Sequence, residues 1–256
     1  MNVQNFYNNE FDESSRLTQN DNRHKIELFR KQFLYSHLIG KYQPTKVVQI
    51  ACGTGIHTSW LCKTYPHIHF YASDIIPKHV EQIPDFDNLD KRVWDCCDEL
   101  PVEYMDADMI LVEGAWYHLN KNQRALLLDN IDKMNPKVVI IDWLSAWHEL
   151  TQRMLQDKRV PLDLLHLRPE SPFIFDTEID LKFLALHGKI QLFPVDMDLR
   201  FGYNDFNSVS DEEFNKFITY MNKCITLYDA DQTFIMNATE HGCYILTKEE
   251  INEKIC

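Results

Sequence analysis

Gly53 and Gly55 stand two apart directly after the β-branched run Lys46 to Ala51, in a chain of 256 residues that contains only seven glycines. Glycine has no Cβ, so it takes positive φ readily and lets a ligand lie against bare backbone. Helical apolar spacing follows at Ile56, Trp60 and Leu61. A buried strand, a tight glycine turn and a helix N-terminus in succession make a cradle for a polar, nucleotide-type cofactor. A dinucleotide site needs G-x-G-x-x-G. Counted from Ala51 the third glycine falls on Ile56, and counted from Gly53 it falls on Thr58, so that fingerprint fails in both registers.

Other chemistry-bearing residue types are sparser. Seven cysteines, an odd number without a C-x-x-C pair, suggest neither a disulfide framework nor a zinc pattern. Adjacent Cys96 and Cys97 read as packing residues. His67 and His69 lie two apart on one expected strand face, yet no acid or cysteine set joins them in sequence, so no metal is expected. His166, His187 and His241 read as surface or core residues.

The elements that must hold the glycine turn come from alternating apolar patterns. Strands are predicted at 46 to 51, 68 to 73, 91 to 94, 108 to 113 and 137 to 142, with helices near 54 to 65, 77 to 83 and 121 to 134. Such alternation implies an α/β fold with a parallel, doubly wound sheet. Before it, Ile26, Phe29, Phe33 and Leu34 give 21 to 42 one apolar helical face. After Trp143 the rhythm breaks. Residues 144 to 175 read as a helical and irregular lid insertion. A helix near 176 to 187, a strand at 189 to 195, a loop through 201 to 207, a helix from Ser210 with a Ser210/Glu213 capping box, and a last strand at 243 to 246 complete the chain. One domain is expected over 1 to 256: a helical cover to 45, a cofactor-binding half from 46 to 143, the lid, and a C-terminal half from 176.

A net charge of −13 disfavours nucleic acid and anionic membranes as partners, because an acidic surface repels phosphate. The start has no basic segment followed by an apolar stretch, and no run of about eighteen apolar residues occurs. A cytoplasmic enzyme is the expectation, with oligomeric state open.

The spacing small-x-Gly-x-Gly at Ala51, Gly53 and Gly55 resembles the first motif of class I S-adenosylmethionine-dependent methyltransferases. The likeness continues in HFYASDII, VWDCCDELP, DADMILVEGAWYHL and HGCYIL. It also extends to the N-terminal stretch, where Arg16, Leu17, His24, Ile26 and Glu27 match a pattern of a small-molecule-type bacterial group. The resemblance implies a Rossmann-like seven-stranded sheet and S-adenosyl-L-methionine as cofactor. By it, Asp74 would accept the ribose hydroxyls, with Ile75 covering the adenine. Asp95 would accept from the adenine amine, with the Cys96 amide beside the ring. Glu113 and Gly114 would lie near the methionine part, and Arg16 would reach its carboxylate. Trp116, Tyr117 and His118 would face the methyl group or the acceptor.

Two positions depart from that pattern: Gln49 stands where an acid is usual and Ala51 where glycine is usual. Gln49 keeps an acceptor oxygen but loses the charge that attracts a cation, so weaker cofactor binding is expected. Ala51 is tolerable there if its φ is negative. His118 is the first candidate base for an acceptor proton, with Tyr117 orienting it and His148 as the alternative. The expected partner is a small-molecule methyl acceptor. The competing readings are a non-catalytic S-adenosylmethionine-binding or regulatory protein and a protein or nucleic-acid methyltransferase. Against the nucleic-acid case, the D/N-P-P-Y/F tetrapeptide of amino-methylating enzymes is absent.

Overall fold

The computed structural model describes residues 22 to 144, 189 to 194 and 241 to 247, together with Glu212, Asn215, Thr219, Asn222 and Thr226, which are helical. Arg16, His148, His166, His187, the rest of the lid, the 176 to 187 helix, the 201 to 207 loop and the Ser210/Glu213 box lie outside the described residues.

Strand β1 (Lys46–Ile50) is buried from its second residue on, and β4 (Met109–Val112) is buried throughout. Continuous apolar strands of this kind require cover on both faces. Around them lie β2 (His69–Asp74), β3 (Leu89–Val93), β5 (Val138–Leu144), β6 (Lys189–Pro194) and β7 (His241–Thr247). The seven strands are ordered β3-β2-β1-β4-β5-β7-β6. The first five are mutually parallel, and β7 runs antiparallel to both β5 and β6. The expectation of a wholly parallel sheet is corrected at that one strand. β3, with Asp90, Lys91 and Arg92, is the charged outer edge.

Side-chain alternation divides the core between two faces. Val47, Met109, Leu111, Val138, Ile140 and Ile245 pack with Leu34, Tyr35 and Leu38 of α1 (Asn22–Tyr42) and Leu61 and Cys62 of α2 (Ile56–Thr64). Val48, Ile50, Ile110, Val112, Val139 and Ile141 pack on the opposite face with Leu127, Leu128, Ile131 and Met134, all four in the helix Lys121–Met134. Between these helices in sequence comes α3 (Pro77–Gln82), so Lys121–Met134 is α4. α4 begins with a capping box: Asn120 accepts from the Asn122 and Gln123 amides, and Gln123 accepts from the Asn120 amide. It ends at Asn135 in the left-handed region, φ 51°.

At the N-terminal side of the sheet, Asp108 fastens β1 to β4. Its Oδ2 accepts from the Thr45 amide at 2.8 Å and hydroxyl at 2.9 Å and from the Lys46 amide at 3.2 Å, while Lys137 Nζ lies 3.0 Å from Oδ1. Burial pushes this carboxyl up, but those donors outweigh it and hold it down at about 2, against an ordinary 3.8. A carboxylate depressed by folding stabilises the fold above its unfolded value and loses that contribution as pH falls through the folded one. Wild type should therefore lose about 2 kcal/mol more than Asp108→Asn between pH 4 and pH 2, read from urea midpoints.

His67 and His69 do not share a strand face. His67 precedes β2 in a turn, while His69 pairs across to Asp90 on β3 at 2.8 Å. No helix among the described residues is long and apolar enough to cross a membrane.

Candidate cofactor cleft at the strand carboxyl ends

Strand order reverses between β1 and β4: the chain leaves β1 toward β2 on one side and later returns to β4 on the other. In open α/β sheets ligands bind in the crevice outside the carboxyl ends at that switch point. Five of the expected site residues lie there: Gln49, Ala51, Gly53 and Gly55 at the end of β1 and in its turn, and Glu113 after β4, whose amide donates to the Ile50 carbonyl at 2.9 Å.

The turn is built from left-handed backbone. Ala51, Gly53 and Gly55 have φ of 57°, 56° and 77°. The Cys52 amide donates to the Ser73 carbonyl at 3.0 Å and the Gly55 amide to the Cys52 carbonyl at 3.1 Å, after which α2 begins. The condition under which Ala51 was tolerable, a negative φ, is not met. Left-handed backbone costs a residue with a Cβ about 1 to 2 kcal/mol, and glycine gives part of that back through its freer unfolded chain. Ala51→Gly should raise stability by about 0.5 to 1 kcal/mol, seen as a higher urea midpoint at unchanged slope.

Asp74, at the end of β2 and 7% exposed, closes the turn from the neighbouring strand. Its Oδ2 accepts from the Gly53 amide at 2.9 Å, its Oδ1 accepts from the Ile76 amide at 2.8 Å, and His79 Nδ1 lies 3.5 Å from Oδ1. Ile76, not Asp74, occupies the N-cap of α3. The acid thus organises the backbone of both loops. Asp95, just after β3, repeats the same two-residue side-chain turn by accepting from the Cys97 amide at 2.9 Å. Ile75 is half-buried beside Asp74 and Cys96 is buried beside Asp95.

Gln49 is fully buried. Its Oε1 accepts from the Thr58 hydroxyl at 2.7 Å, and its Nε2 has no partner among the described residues. The half of the amide left open is therefore a donor. Negative charge comes from the next strand: Glu113, 8% exposed, accepts from the Tyr35 hydroxyl at 2.7 Å and lies 3.9 Å from Lys31 Nζ. Lys31 and Tyr35 are one helical turn apart on α1, and the Tyr35 ring meets the His57 ring edge-on at 6.0 Å. Sequence reasoning missed Lys31, Tyr35, His57 and Thr58. The only signal was the four-residue step from Lys31 to Tyr35, which places them on one helix face without saying what that face meets.

Gly114 follows Glu113 with φ 69°, and Trp116–His118 forms a short 3-10 turn. Trp116 does not face an acceptor as expected. It is 1% exposed in the core, with the Arg124 guanidinium 4.8 Å from its ring centroid and Arg124 Nε donating to its carbonyl at 3.1 Å. Burial lowers the His118 imidazole to about 4, leaving it neutral at physiological pH. The Tyr117 side chain lies outside the described residues.

No family model matches this sequence, and no curated protein matches it. Solved structures do. The plantazolicin methyltransferase BpumL in complex with SAH matches with a TM-score of 0.58 at 14% identity, covering 96% of this chain and 94% of its own. The methyltransferase domain of bacterial CtHen1-CN gives 0.55 at 10% identity, covering 85% and 97%. A SAM-dependent methyltransferase from Archaeoglobus fulgidus gives 0.50 at 16% identity, covering 87% and 94%. Likeness at such identities is a likeness of fold, and it agrees with the strand order above.

Proposed function

We propose that this chain, which has the Rossmann-like class I methyltransferase fold, binds S-adenosylmethionine in the β1/β4 crevice and transfers its methyl group to a small-molecule acceptor. The observation that carries the reading is the coincidence of a left-handed Gly53/Gly55 turn with two buried carboxylates, Asp74 and Glu113, at the strand carboxyl ends. These residues fit the group. Bare backbone at the turn admits its nucleoside, and Asp74 keeps acceptor capacity beyond its two backbone bonds for ribose hydroxyls. Lys31 and Glu113, opposite charges 3.9 Å apart, suit the two ends of an amino-acid zwitterion. The unpartnered Gln49 amide offers one further donor. When bound, S-adenosylmethionine supplies an electrophilic sulfonium methyl group.

The chain's own contribution is orientation, charge and proton acceptance. Glu113 takes over the attraction of a cation that Gln49 cannot provide. His118, neutral through the physiological range, accepts the acceptor's proton, with Tyr117 orienting the ring. On this reading the acceptor pocket would fall to residues 144 to 175 and 197 to 208 and the cofactor carboxylate to Arg16, of which only residue 144 is among the described residues.

Glu113→Gln should weaken S-adenosylhomocysteine binding about 10- to 100-fold, the loss of one charge-assisted contact of about 1.5 to 3 kcal/mol. Calorimetric titration checks this. The primary test titrates the wild-type protein with S-adenosylmethionine and S-adenosylhomocysteine, with NADH as control. Saturation by the first two alone supports the reading; silence from both removes it. A second reading, a cofactor binder without transferase activity, is favoured by Gln49 and by the low basicity of His118. It requires binding with no labelled methyl transferred across a broad acceptor screen. A nucleic-acid acceptor is disfavoured by the −13 charge.

A further inference from the structure

The turn after β3 carries a cluster that the methyl-transfer reading does not use as such. Asp95, Cys96 and Cys97 bring a carboxylate oxygen and two sulfurs within 4.8 Å of one another. Spacing in sequence disguised this, since adjacent cysteines match no common metal-ligand interval. A turn overcomes the problem. The Asp98 amide donates to the Asp95 carbonyl at 2.9 Å, reversing the chain across the two cysteines.

The turn is held from outside. Asn130 of α4, 3% exposed, donates through Nδ2 to the Cys96 carbonyl at 3.0 Å and the Asp98 carbonyl at 2.8 Å. Trp94 Nε1 donates to the Glu99 carbonyl at 3.1 Å, and Cys97 Sγ donates to the Gln123 carbonyl at 3.6 Å. Ligands fixed by surrounding hydrogen bonds lose little entropy on capturing an ion.

We propose that Asp95, Cys96 and Cys97 form a site for a thiophilic divalent cation of the zinc or cadmium type. Two thiolates and one carboxylate make a three-ligand set with a fourth position for water, the composition zinc accepts in open sites. Tetrahedral zinc with bonds of about 2.3 Å to sulfur and about 2.1 Å to oxygen sets its sulfurs about 3.8 Å apart and oxygen and sulfur about 3.6 Å apart, so the cluster needs to contract by no more than about 1.2 Å. Capture releases both thiol protons to solvent, and the bound sulfurs and carboxylate leave a net charge of −1 on the filled site. Where the cofactor reading holds, Asp95 and the Cys96 amide are also the adenine contacts, so cation and cofactor compete. The competition rests on that reading; the cation site does not.

Cadmium is the probe, added to reduced protein and followed by thiolate-to-cadmium charge-transfer absorption. One equivalent should bind wild type. The signal should vanish in Cys97→Ser, weaken at least tenfold in affinity in Asp95→Asn, and persist in Cys62→Ser, whose sulfur lies in the α1/α2 core. Asp95→Asn leaves both sulfurs in place, so it tests the site even if a cysteine variant misfolds. Undiminished one-equivalent uptake by folded Cys97→Ser, or unchanged affinity in Asp95→Asn, overturns the site. Adding S-adenosylhomocysteine should raise the apparent cadmium dissociation constant. If it does not bind in calorimetry while cadmium still binds at Cys97, the cofactor reading fails and the cation site stands.

Discussion

Gly55→Ala should cost about 3 kcal/mol of stability and abolish the turn's competence for any ligand. Two penalties add at this residue. Its φ of 77° is one that a residue with a Cβ holds only at a cost of about 1 to 2 kcal/mol. The added methyl would also stand 2.6 Å from Ile83 Cγ1, 2.8 Å from Cγ2 and 3.1 Å from Cβ. Ile83 is 1% exposed and branched at Cβ, so it has no long flexible end to swing aside, and forced overpacking costs about 1 to 3 kcal/mol. A urea midpoint and the calorimetric titration should fail together. Ile83→Ala in the same background removes the two closest contacts while leaving the strain, so a smaller loss in the double variant than the sum of the two single losses would measure the overpacking. A Gly55→Ala protein as stable as wild type would show that the turn is not built as described.

Asp74→Ala should be nearly as severe, and for a reason beyond ligand contact. The carboxylate accepts from the Gly53 and Ile76 amides, the latter buried, and removing it leaves both donors without their acceptor. At about 1 to 3 kcal/mol for a buried group left unsatisfied, the expected loss is about 3 kcal/mol in the ligand-free protein. Binding of S-adenosylhomocysteine should fall by at least about tenfold more than stability alone explains. Asp74→Asn keeps one oxygen and should lose less of both. If Asp74 only touched ribose, the alanine variant would unfold at the wild-type urea midpoint, and that result would discard the organising role.

Local pattern was enough for the strands and helices of the first half. Continuous apolar runs at 46 to 51 and 108 to 113 have no stable place except between two covered faces, and the helical stretches at 21 to 42 and 54 to 65 carry their own periodicity. Residue type and position also marked Gly53 and Gly55, because a glycine turn is a short-range feature, while Asp74, Asp95 and Glu113 were marked through the resemblance of their segments to methyltransferase motifs.

What each acid touches was decided elsewhere. Glu113 meets Tyr35 across 78 positions of sequence, and no periodicity links a helix face to one residue of a strand so distant. The sheet order that brings α1 over β4 creates that contact and sets Lys31 beside Glu113 as well. Likewise Ala51 accepts a left-handed φ that its own sterics oppose, because the next residue's amide is bound to Ser73 and the following one to Asp74. Trp116, expected at a substrate, lies in the core with Arg124 of α4 over its ring. The same helix, through Asn130, holds two sequence-adjacent cysteines in a turn that makes them ligands together. Sequence by itself determined the strands, the helices and the glycine turn that rides on them. Only tertiary structure decided their partners, since pairing energies between distant side chains exist only after the chain has closed on itself.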